Sequence, residues 1–183
     1  MKAMLDACVL YPTVLREVLL AAAAAGFFKV LVSPRVLEEW ALAAARRGPS
    51  DEALARGAIA LFRARAAVEE VVPPEGLERR LWLPDASDIH VLAAAVAGGA
   101  DVIVTLNASD FPRHVLAEEG IARADPDALL LGFFRSEPLR LRAAVEPVRA
   151  EAERLSGVRW EIRALMKKAG LPRLGKALAQ PDA

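Results

Sequence analysis

The chain has 183 residues, of which 55% are hydrophobic and 26% are charged, and its formal net charge is +0. This length predicts one domain with at most a small appendage, and this composition excludes a mostly disordered chain. The neutral total charge gives no indication of a nucleic-acid partner, and the longest uncharged apolar stretch, residues 18–28, is too short to span a membrane.

The single cysteine restricts the kinds of metal site that the chain can form, and the N-terminal residues indicate the compartment. One cysteine, Cys8, excludes an intramolecular disulfide framework and a zinc site built from several cysteines, and we expect it to be a small buried hydrophobic residue. Any metal must then be held mainly by oxygen. The chain reaches Asp6 without the basic region and apolar core of a secretory signal, so we expect a cytoplasmic protein with no membrane segment.

Short apolar runs alternate with helical segments along most of the chain. The predicted strands are 3–5, 27–32, 68–72 and 101–105. The predicted helices lie between Pro12 and Gly26, from Ser33 to about Arg47, from Ser50 to about Ala66, from Asp85 to Ala97, and after Asp125-Pro126. The alternation predicts an α/β fold with a central parallel sheet flanked by helices, in which ligands bind beyond the carboxyl ends of the strands.

Acidic residues from four chain segments are expected near that edge of the sheet. They are Asp6, Glu38, Glu39, Asp85, Asp88 and Asp110. Clustered carboxylates repel one another unless a cation joins them, and oxygen-only ligands favour magnesium or manganese. Such ions activate water for attack on a phosphodiester, so this chemistry requires no nucleophilic side chain.

Some of these acids also have a purely structural interpretation. Asp85 stands beside a proline and can be an N-cap, with Asp88 completing a capping pair, although their i, i+3 spacing also places both on one face of the predicted helix. Asp110 can be a turn residue. Asp6 has no turn dipeptide beside it, so it is the hardest of the acids to explain as structural.

Two further pairs of residues stay open on the sequence alone. Glu38 and Glu39 flank the buried face of their helix at similar angles, so periodicity does not separate them, and one of the two can be plain solvated surface. His90 and His114 have no partner at ligand spacing, and we interpret them as ordinary core or surface histidines.

The acids fall in four short motifs whose order and spacing are informative. The motifs are MLDACVL at 4–10, SPRVLEEW at 33–40, DIHVLAAA at 88–95 and VTLNASDF at 104–111. Over about residues 2–135 they resemble the PIN-domain nucleases, which include the VapC-type toxins of bacterial toxin–antitoxin pairs. The most specific part is a helix that opens with Asp88, followed by a strand that ends in TxNxxDF.

The resemblance implies a ligand set for the metal. The implied catalytic and metal-binding acids are Asp6, Glu39, Asp88 and Asp110. Glu39 is preferred over Glu38 because the family's glutamate precedes a large apolar residue, here Trp40. Thr105 and Asn107 become supporting polar groups, while Asp85 looks like an additional acid of some relatives and its direct role stays open.

The resemblance also implies an architecture and a function. It implies a three-layer PIN-like fold at 1–135 and an endoribonuclease that hydrolyses RNA with Mg²⁺ or Mn²⁺, as the toxin of a toxin–antitoxin pair. A homodimer and an antitoxin protein that blocks the site are the partners implied beside RNA.

Residues 136–183 are expected to form a basic helical extension that the motifs do not cover. From Arg135 onward, eleven Lys and Arg stand against six Asp and Glu, a net +5, which leaves −5 for the first 134 residues. The pattern is helical from Pro138 to about Ala169 with a break at Gly157. The candidate RNA-binding residues are Arg159, Arg163, Lys167, Lys168, Arg173 and Lys176. Solvated faces or dimer contacts are the alternative interpretation of such Arg/Glu-rich helices.

Two other functions are compatible with parts of the sequence. A phosphatase of the haloacid-dehalogenase type also has an aspartate after its first strand, but it needs a second aspartate where Cys8 stands. A catalytically inactive PIN-like interaction module is the other alternative, and it predicts missing acids, whereas the set here is complete.

Overall fold

The computed structural model describes residues 1–180, which form two compact units. One unit consists of residues 1–11 and 28–124, and the other of residues 12–27 together with the chain from 125 onward. The expected boundary between a nuclease domain at 1–135 and an extension at 136–183 stays a prediction, and residues 181–183 of that extension lie outside the described part. Among residues 1–180, no helix combines the length and apolar character needed to cross a bilayer.

Within the described residues, the first unit contains five parallel strands in one sheet. They are β1 Lys2–Leu5, β2 Lys29–Val32, β3 Val68–Glu70, β4 Val102–Val104 and β5 Ala122–Ala124. Their order in the sheet is β3-β2-β1-β4-β5. The chain therefore builds outward from β1 to β3 and then returns to the other side of β1, with Leu5 of β1 paired to Val104 of β4. The point between β1 and β4 is the topological switch point, where ligands bind in open parallel sheets.

The central strands are continuous apolar runs because helices cover the sheet. Ala3, Met4 and Leu5 of β1 are completely buried, as are Ile103 and Val104 of β4. This confirms the predicted α/β class and the strands predicted at 3–5, 27–32, 68–72 and 101–105. Strand β5 was not predicted, because its three residues, Ala-Arg-Ala, contain no apolar run and lie at the edge of the sheet.

The helices of the first unit connect these strands. They are α1 Ala7–Leu10, α3 Pro34–Ala45, α4 Pro49–Arg63, α5 Ile89–Gly98 and α6 Arg113–Glu118. The predicted cap of α3 is confirmed, since Ser33 Oγ accepts a hydrogen bond from Val36 N at 3.2 Å. The predicted cap of α4 is wrong: Gly48 precedes the helix with φ 142°, Pro49 is its first residue, and Ser50 lies inside the first turn.

The segment predicted as one helix from Asp85 to Ala97 is in fact a short 3₁₀ turn followed by α5. The 3₁₀ turn covers Ala86–Asp88, and α5 begins at Ile89. The Asp85 side chain accepts a hydrogen bond from Ser87 N at 2.8 Å, which tightens the chain into a 3₁₀ turn before the α-helix can start. Asp88 is consequently the N-cap of α5 rather than a residue on its face, so the predicted shared α-helical face of the two acids is wrong.

Helices make up the second unit. They are α2 Thr13–Ala24, α7 Pro126–Ser136, α8 Pro138–Ser156, α9 Ile162–Lys168 and α10 Pro172–Leu178. Helix α8 packs against α2 and α7, and α10 packs against α7 and α9. The predicted cap Asp125 and the predicted break at Gly157 are confirmed, with Asp125 Oδ1 3.0 Å from Ala128 N and a left-handed Gly157.

A buried carboxylate fixes the last described helix. Asp127 is 3% exposed and accepts hydrogen bonds from the backbone N–H groups of Arg173 and Leu174, at 2.9 and 2.8 Å. These donors belong to the first turn of α10, whose N–H groups have no partner inside the helix. The C-terminal helices are therefore integral to the packing of this unit.

Candidate metal centre

The first acid of the site lies at the switch point of the sheet. Asp6 directly follows β1, is 7% exposed, and its backbone N–H donates to Val104 O of β4 at 3.2 Å. Its Oδ2 accepts a hydrogen bond from Thr105 Oγ1, which directly follows β4, at 2.7 Å. The parallel register of β1 and β4 thus brings the two side chains together and orients the carboxylate.

Cys8 takes part in this arrangement, which the expectation of a plain hydrophobic residue missed. It is half-buried, and its thiol donates to Asp6 Oδ2 at 2.9 Å while its sulfur accepts from Leu106 N at 3.2 Å. Burial, and next the nearby Asp6 charge, raise the pKa of Cys8 to about 12, so the residue is a neutral thiol. A protonated thiol is a hydrogen-bond donor, which is what a carboxylate requires.

The loop after β4 carries Asp110 and holds it by local polar contacts. Thr105 Oγ1 accepts from Asn107 N at 2.9 Å, which turns the chain immediately after the strand. The Asn107 side-chain amide donates to Asp110 Oδ2, and Ser109 Oγ donates to Asp110 Oδ1 at 3.1 Å. Thr105 thus contacts Asp6 and Asn107 contacts Asp110, while their supporting roles at a metal stay a prediction.

Arg123 of β5 fastens the same loop from outside. Its guanidinium donates to Ala108 O and to Phe111 O, the latter at 3.0 Å, and the Phe111 ring is completely buried. The loop is thus fixed at both sides of Asp110. Sequence reasoning missed Arg123 because the strand that carries it has no apolar signature.

Three carboxylates converge closely enough to share one cation. One oxygen each from Asp85, Asp88 and Asp110 lies within 4.8 Å of the others, with Asp85 exposed and the other two half-buried. Asp85 is at once the cap of the 3₁₀ turn and a member of this trio, and its hydrogen bonds with Ser87 lower its pKa. An all-carboxylate donor set of this size fits a hard divalent cation such as Mg²⁺ or Mn²⁺.

The electrostatics of Asp88 show that the remaining acids surround it. Its pKa is raised from 3.8 to about 6, first by burial and then by the charges of Asp6, Asp85, Asp110 and Glu39. Four acids from three other chain segments and its own turn thus act on this one carboxylate. A cation among them would remove the repulsion that raises this pKa.

The two adjacent glutamates of α3 have different environments. Glu38 forms a paired contact with Arg56 of α4, at 3.0 and 2.8 Å, and this contact lowers its pKa. The Oε1 atom of Glu39 instead lies 2.7 Å from His90 Nε2. The charge of Glu39 contributes to the raised pKa of Asp88. Adjacent helix residues point about 100° apart, which separates the two side chains.

His90 is a third residue, after Cys8 and Arg123, whose surroundings the sequence did not reveal. It is only 2% exposed, in the first turn of α5, whereas His114 is exposed as expected for a surface histidine. Among residues 1–180, neither ring nitrogen of His90 has an aligned hydrogen-bond partner, although Nε2 is within ion-pair distance of Glu39. The burial of His90 confirms its interpretation as a core residue, but its hydrogen bonding is not that of an ordinary one, since its ring nitrogens lack an aligned partner in the described residues. Its position two residues after Asp88 is the sequence signal that places it beside the acids.

The six basic residues expected to bind RNA belong to the second unit. Arg159, Arg163, Lys167 and Lys176 are exposed and have no ion pair or hydrogen bond from their side chains to another residue in the described part. Lys168 lies over the Trp160 ring, 4.8 Å from its centroid. Arg173 is engaged by Asp127 and Asp125, at 3.1 and 3.2 Å.

The raised pKa of Asp88 predicts a pH dependence of the metal-free protein. Folded Asp88 binds its proton more tightly than the unfolded chain does, so the free energy of unfolding should fall as pH rises from 3.8 through about 6. After discounting for solvent screening, this contribution is roughly 1–2 kcal/mol. Urea denaturation in EDTA at pH 4.5 and 7.5 measures it. We expect the stability gained by Asp88→Asn to be smaller at pH 4.5 than at pH 7.5, because only part of this loss has developed at the lower pH, where Asp88 is already partly ionised in the unfolded chain. A pH-independent gain would contradict the assignment.

The fold and the site together define a class. A parallel α/β sheet with carboxylates gathered at its switch point is typical of metal-dependent enzymes that act on phosphate esters. Residues 2–109 match the sequence profile of the PIN domain, and the chain belongs to the PIN domain family. No curated protein and no solved structure gives a significant match. PIN domains are generally nucleases that use divalent metals and bind RNA, and membership in this family removes the phosphatase alternative.

Proposed function

We propose that this protein is a divalent-metal-dependent endoribonuclease that hydrolyses RNA phosphodiester bonds. The observation that carries the proposal is Asp88, a half-buried carboxylate at the switch point of the sheet whose pKa is raised first by burial and then by the charges of four other acids. Natural proteins gather carboxylates in this way where a cation compensates their charge. The completeness of the acid set favours a nuclease over a catalytically inactive PIN-like module.

Each acid has a defined task in this proposal. The metal ligands are Asp6, Glu39, Asp88 and Asp110. Mg²⁺ or Mn²⁺, when bound there, supplies an activated water and charge neutralisation at the scissile phosphate. Thr105 and Cys8 hold Asp6 through Oδ2, and Asn107 and Ser109 hold Asp110. Asp85 is close enough to Asp88 and Asp110 to add a further oxygen.

The chain's own groups also explain why no side chain is needed as a nucleophile. The thiol of Cys8 is kept protonated by burial and by Asp6, so it is a poor nucleophile at neutral pH. Thr105 is 3% exposed and its hydroxyl is already committed to Asp6 and to Asn107 N. In the proposed reaction, water held among the carboxylates is the attacking group, rather than either of these side chains or the 2′-hydroxyl of RNA.

Analysis of the RNA ends tests the proposed reaction. The purified protein is incubated with an end-labelled single-stranded RNA in Mn²⁺, in Mg²⁺ and in EDTA. Attack by water leaves a phosphate on one product and a hydroxyl on the other, without a cyclic phosphate. A 2′,3′-cyclic phosphate product would show that the 2′-hydroxyl attacks, and equal cleavage in EDTA would show that no metal is required. Either result would overturn the proposal.

Within this function we further assign the role of toxin in a VapC-type toxin–antitoxin pair. The motif resemblance supports this role, and with it a cytoplasmic location, a homodimer and an antitoxin protein that blocks the site. Production of the protein in growing bacteria should stop growth, while Asp88→Asn should not. Light scattering of the purified protein measures the dimer.

We assign part of the RNA affinity to the basic residues of the second unit. A carboxylate cluster repels phosphate, so other surfaces must attract the RNA backbone. Arg159, Arg163, Lys167 and Lys176 are exposed and not engaged with acids in the described chain, which leaves their charges available. Arg173 is instead committed to Asp127 and Asp125, so its role is to anchor α10.

Neutralising the four available cations is expected to flatten the salt dependence of RNA binding. Truncation after Gly157 is a poor test, because it removes the buried side chains of α9 and α10. Changing the four residues to Gln keeps the packing and should reduce the slope of log K against log salt by about 0.7 for each lost phosphate contact. Fluorescence anisotropy with single-stranded RNA in Ca²⁺ measures the slope.

The matched control is a variant in which four cations of the first unit are replaced by Gln, so that it loses the same charge. Lys29, Arg46, Arg79 and Arg113 are also exposed and have no side-chain ion pair or hydrogen bond in the described chain. Their replacement by Gln should leave more of the slope intact. An equal or greater loss in this control variant would rule out a dedicated role for the second unit.

A further inference from the structure

The starting observation is the buried imidazole beside the acidic cluster. The His90 side chain is only 2% exposed. Its Nε2 lies 2.7 Å from Glu39 Oε1. A buried polar group without a hydrogen bond is destabilising, so an apolar residue would serve the packing of α5 better. The neighbours of His90 in the first turns of α5 are apolar, and Val91 and Leu92 are completely buried.

The chemistry of the two groups fixes the direction of their contact. An ionised carboxylate only accepts hydrogen bonds, so an oxygen at 2.7 Å from Nε2 is favourable only when Nε2 carries the hydrogen. His90 is then a donor toward Glu39. In the described geometry the contact has the length of a charge-assisted hydrogen bond but is not aligned as one.

The other neighbour of Glu39 is a weaker constraint. Arg35 Nε lies 3.9 Å from Glu39 Oε1, its side chain is 55% exposed, and its guanidinium is shared with Glu78 at 3.7 Å. Exposed ion pairs of this length contribute little. His90 is therefore the rigid, buried group that can select one orientation of the Glu39 side chain.

We propose that His90 is a positioning residue that donates from Nε2 to Glu39 and holds this carboxylate toward the cation site. This inference rests on the proposed function, because it gives Glu39 a cation to face. Partners behind a metal ligand typically change metal affinity by 10–100-fold, which sets the expected effect. His90 acts through Glu39 and touches neither substrate nor the reacting phosphate in this proposal.

Metal affinity measured by calorimetry tests the proposal without reference to activity. Parent, His90→Leu and His90→Gln are titrated with Mn²⁺ alone at fixed pH. We expect His90→Leu to weaken binding by about 10–100-fold and His90→Gln, whose amide keeps a donor, to recover most of the affinity. Equal affinity of parent and His90→Leu would overturn the proposal, as would equal losses in both variants, which indicate a packing role.

A double-mutant cycle identifies Glu39 as the group through which His90 acts. In a Glu39→Ala background, His90→Leu should have no further effect on the Mn²⁺ affinity, whereas in a Glu38→Ala background it should keep its full effect. The same loss in both backgrounds would overturn the link to Glu39. A parent protein that binds no Mn²⁺ overturns the proposed function together with this inference, whereas a binding parent with an unaffected His90→Leu overturns the inference alone.

Activity gives a further distinction between positioning and packing. A variant with weakened metal binding should recover its kcat when Mn²⁺ is raised, with the KM for RNA unchanged. We expect this recovery in His90→Leu. A kcat that stays low at saturating Mn²⁺ would show that the substitution has damaged the site itself.

Discussion

Asp88→Asn is expected to reduce RNA cleavage by more than about 100-fold while the protein stays folded, and Asp6→Asn should do the same. The amide keeps the shape of each side chain but removes the charge that attracts the cation. For Asp88 the metal-free variant should also melt about 2–6 °C higher than the parent, because the amide removes the buried charge and the repulsion that together raise the pKa of Asp88 to about 6.

Thermal unfolding with and without Mn²⁺ separates the two effects. Added Mn²⁺ should raise the melting temperature of the parent more than that of either variant, since binding to the native state stabilises it by mass action. Ser109→Ala, which removes one neutral donor to Asp110 and no acid, is a matched control and should keep most of the Mn²⁺ shift. Equal shifts in parent and both variants, or retained cleavage in a folded variant, would refute the metal assignment.

Glu39→Gln is expected to lower cleavage strongly, by about 100-fold, whereas Glu38→Gln should leave it within about 3-fold of the parent. The two residues have the same chemistry and adjacent positions, so each serves as the control for the other. The reason for the difference is their environment, because Glu38 pairs with Arg56 while the charge of Glu39 acts on Asp88.

The two variants are compared by their cleavage rates at saturating RNA and several Mn²⁺ concentrations. A small loss of stability in Glu38→Gln is compatible with the assignment, because an exposed pair with Arg56 is removed. A larger activity loss in Glu38→Gln than in Glu39→Gln would show that the family register has been applied one residue too far along the chain.

The sequence was sufficient to predict which residues lie at the carboxyl edge of the sheet, but not the order of the strands. Apolar runs ending in Asp6 and Thr105 predict that both residues lie at the carboxyl edge, because parallel strands end on the same side. That they are neighbours depends on β4 pairing with β1, and no local pattern encodes this pairing. The expectation that these residues lie at one site came from the motif resemblance and not from the periodicity.

Residues whose roles depend on distant partners were the ones that sequence reasoning missed. Periodicity could not separate Glu38 from Glu39, because the difference is made by Arg56 on another helix and by His90 on a third. Cys8 was expected to be a plain hydrophobic residue, since its partner Thr105 is close only in the folded sheet. Local rules describe a residue's own element, and these contacts join different elements.

Tight turns were a further source of error. Asp85 and Asp88 were placed on one α-helix because their spacing and the apolar run behind them fit that pattern. The hydrogen bond from Ser87 N to Asp85 closes a 3₁₀ turn instead, which makes Asp88 the cap of α5. Both acids nevertheless reach the same carboxylate cluster, because side chains three residues apart are also neighbours in a 3₁₀ turn.

The most direct test of the central claim is the rate of cleavage of one single-stranded RNA as a function of free Mn²⁺, for parent and Asp88→Asn protein purified in parallel. We expect the parent rate to be zero in EDTA and to rise to saturation with Mn²⁺, while the variant shows no cleavage at any concentration at which the parent is saturated. Cleavage by the parent that is independent of Mn²⁺, or an unchanged Mn²⁺ response in Asp88→Asn, would contradict a carboxylate-bound metal as the source of the activity.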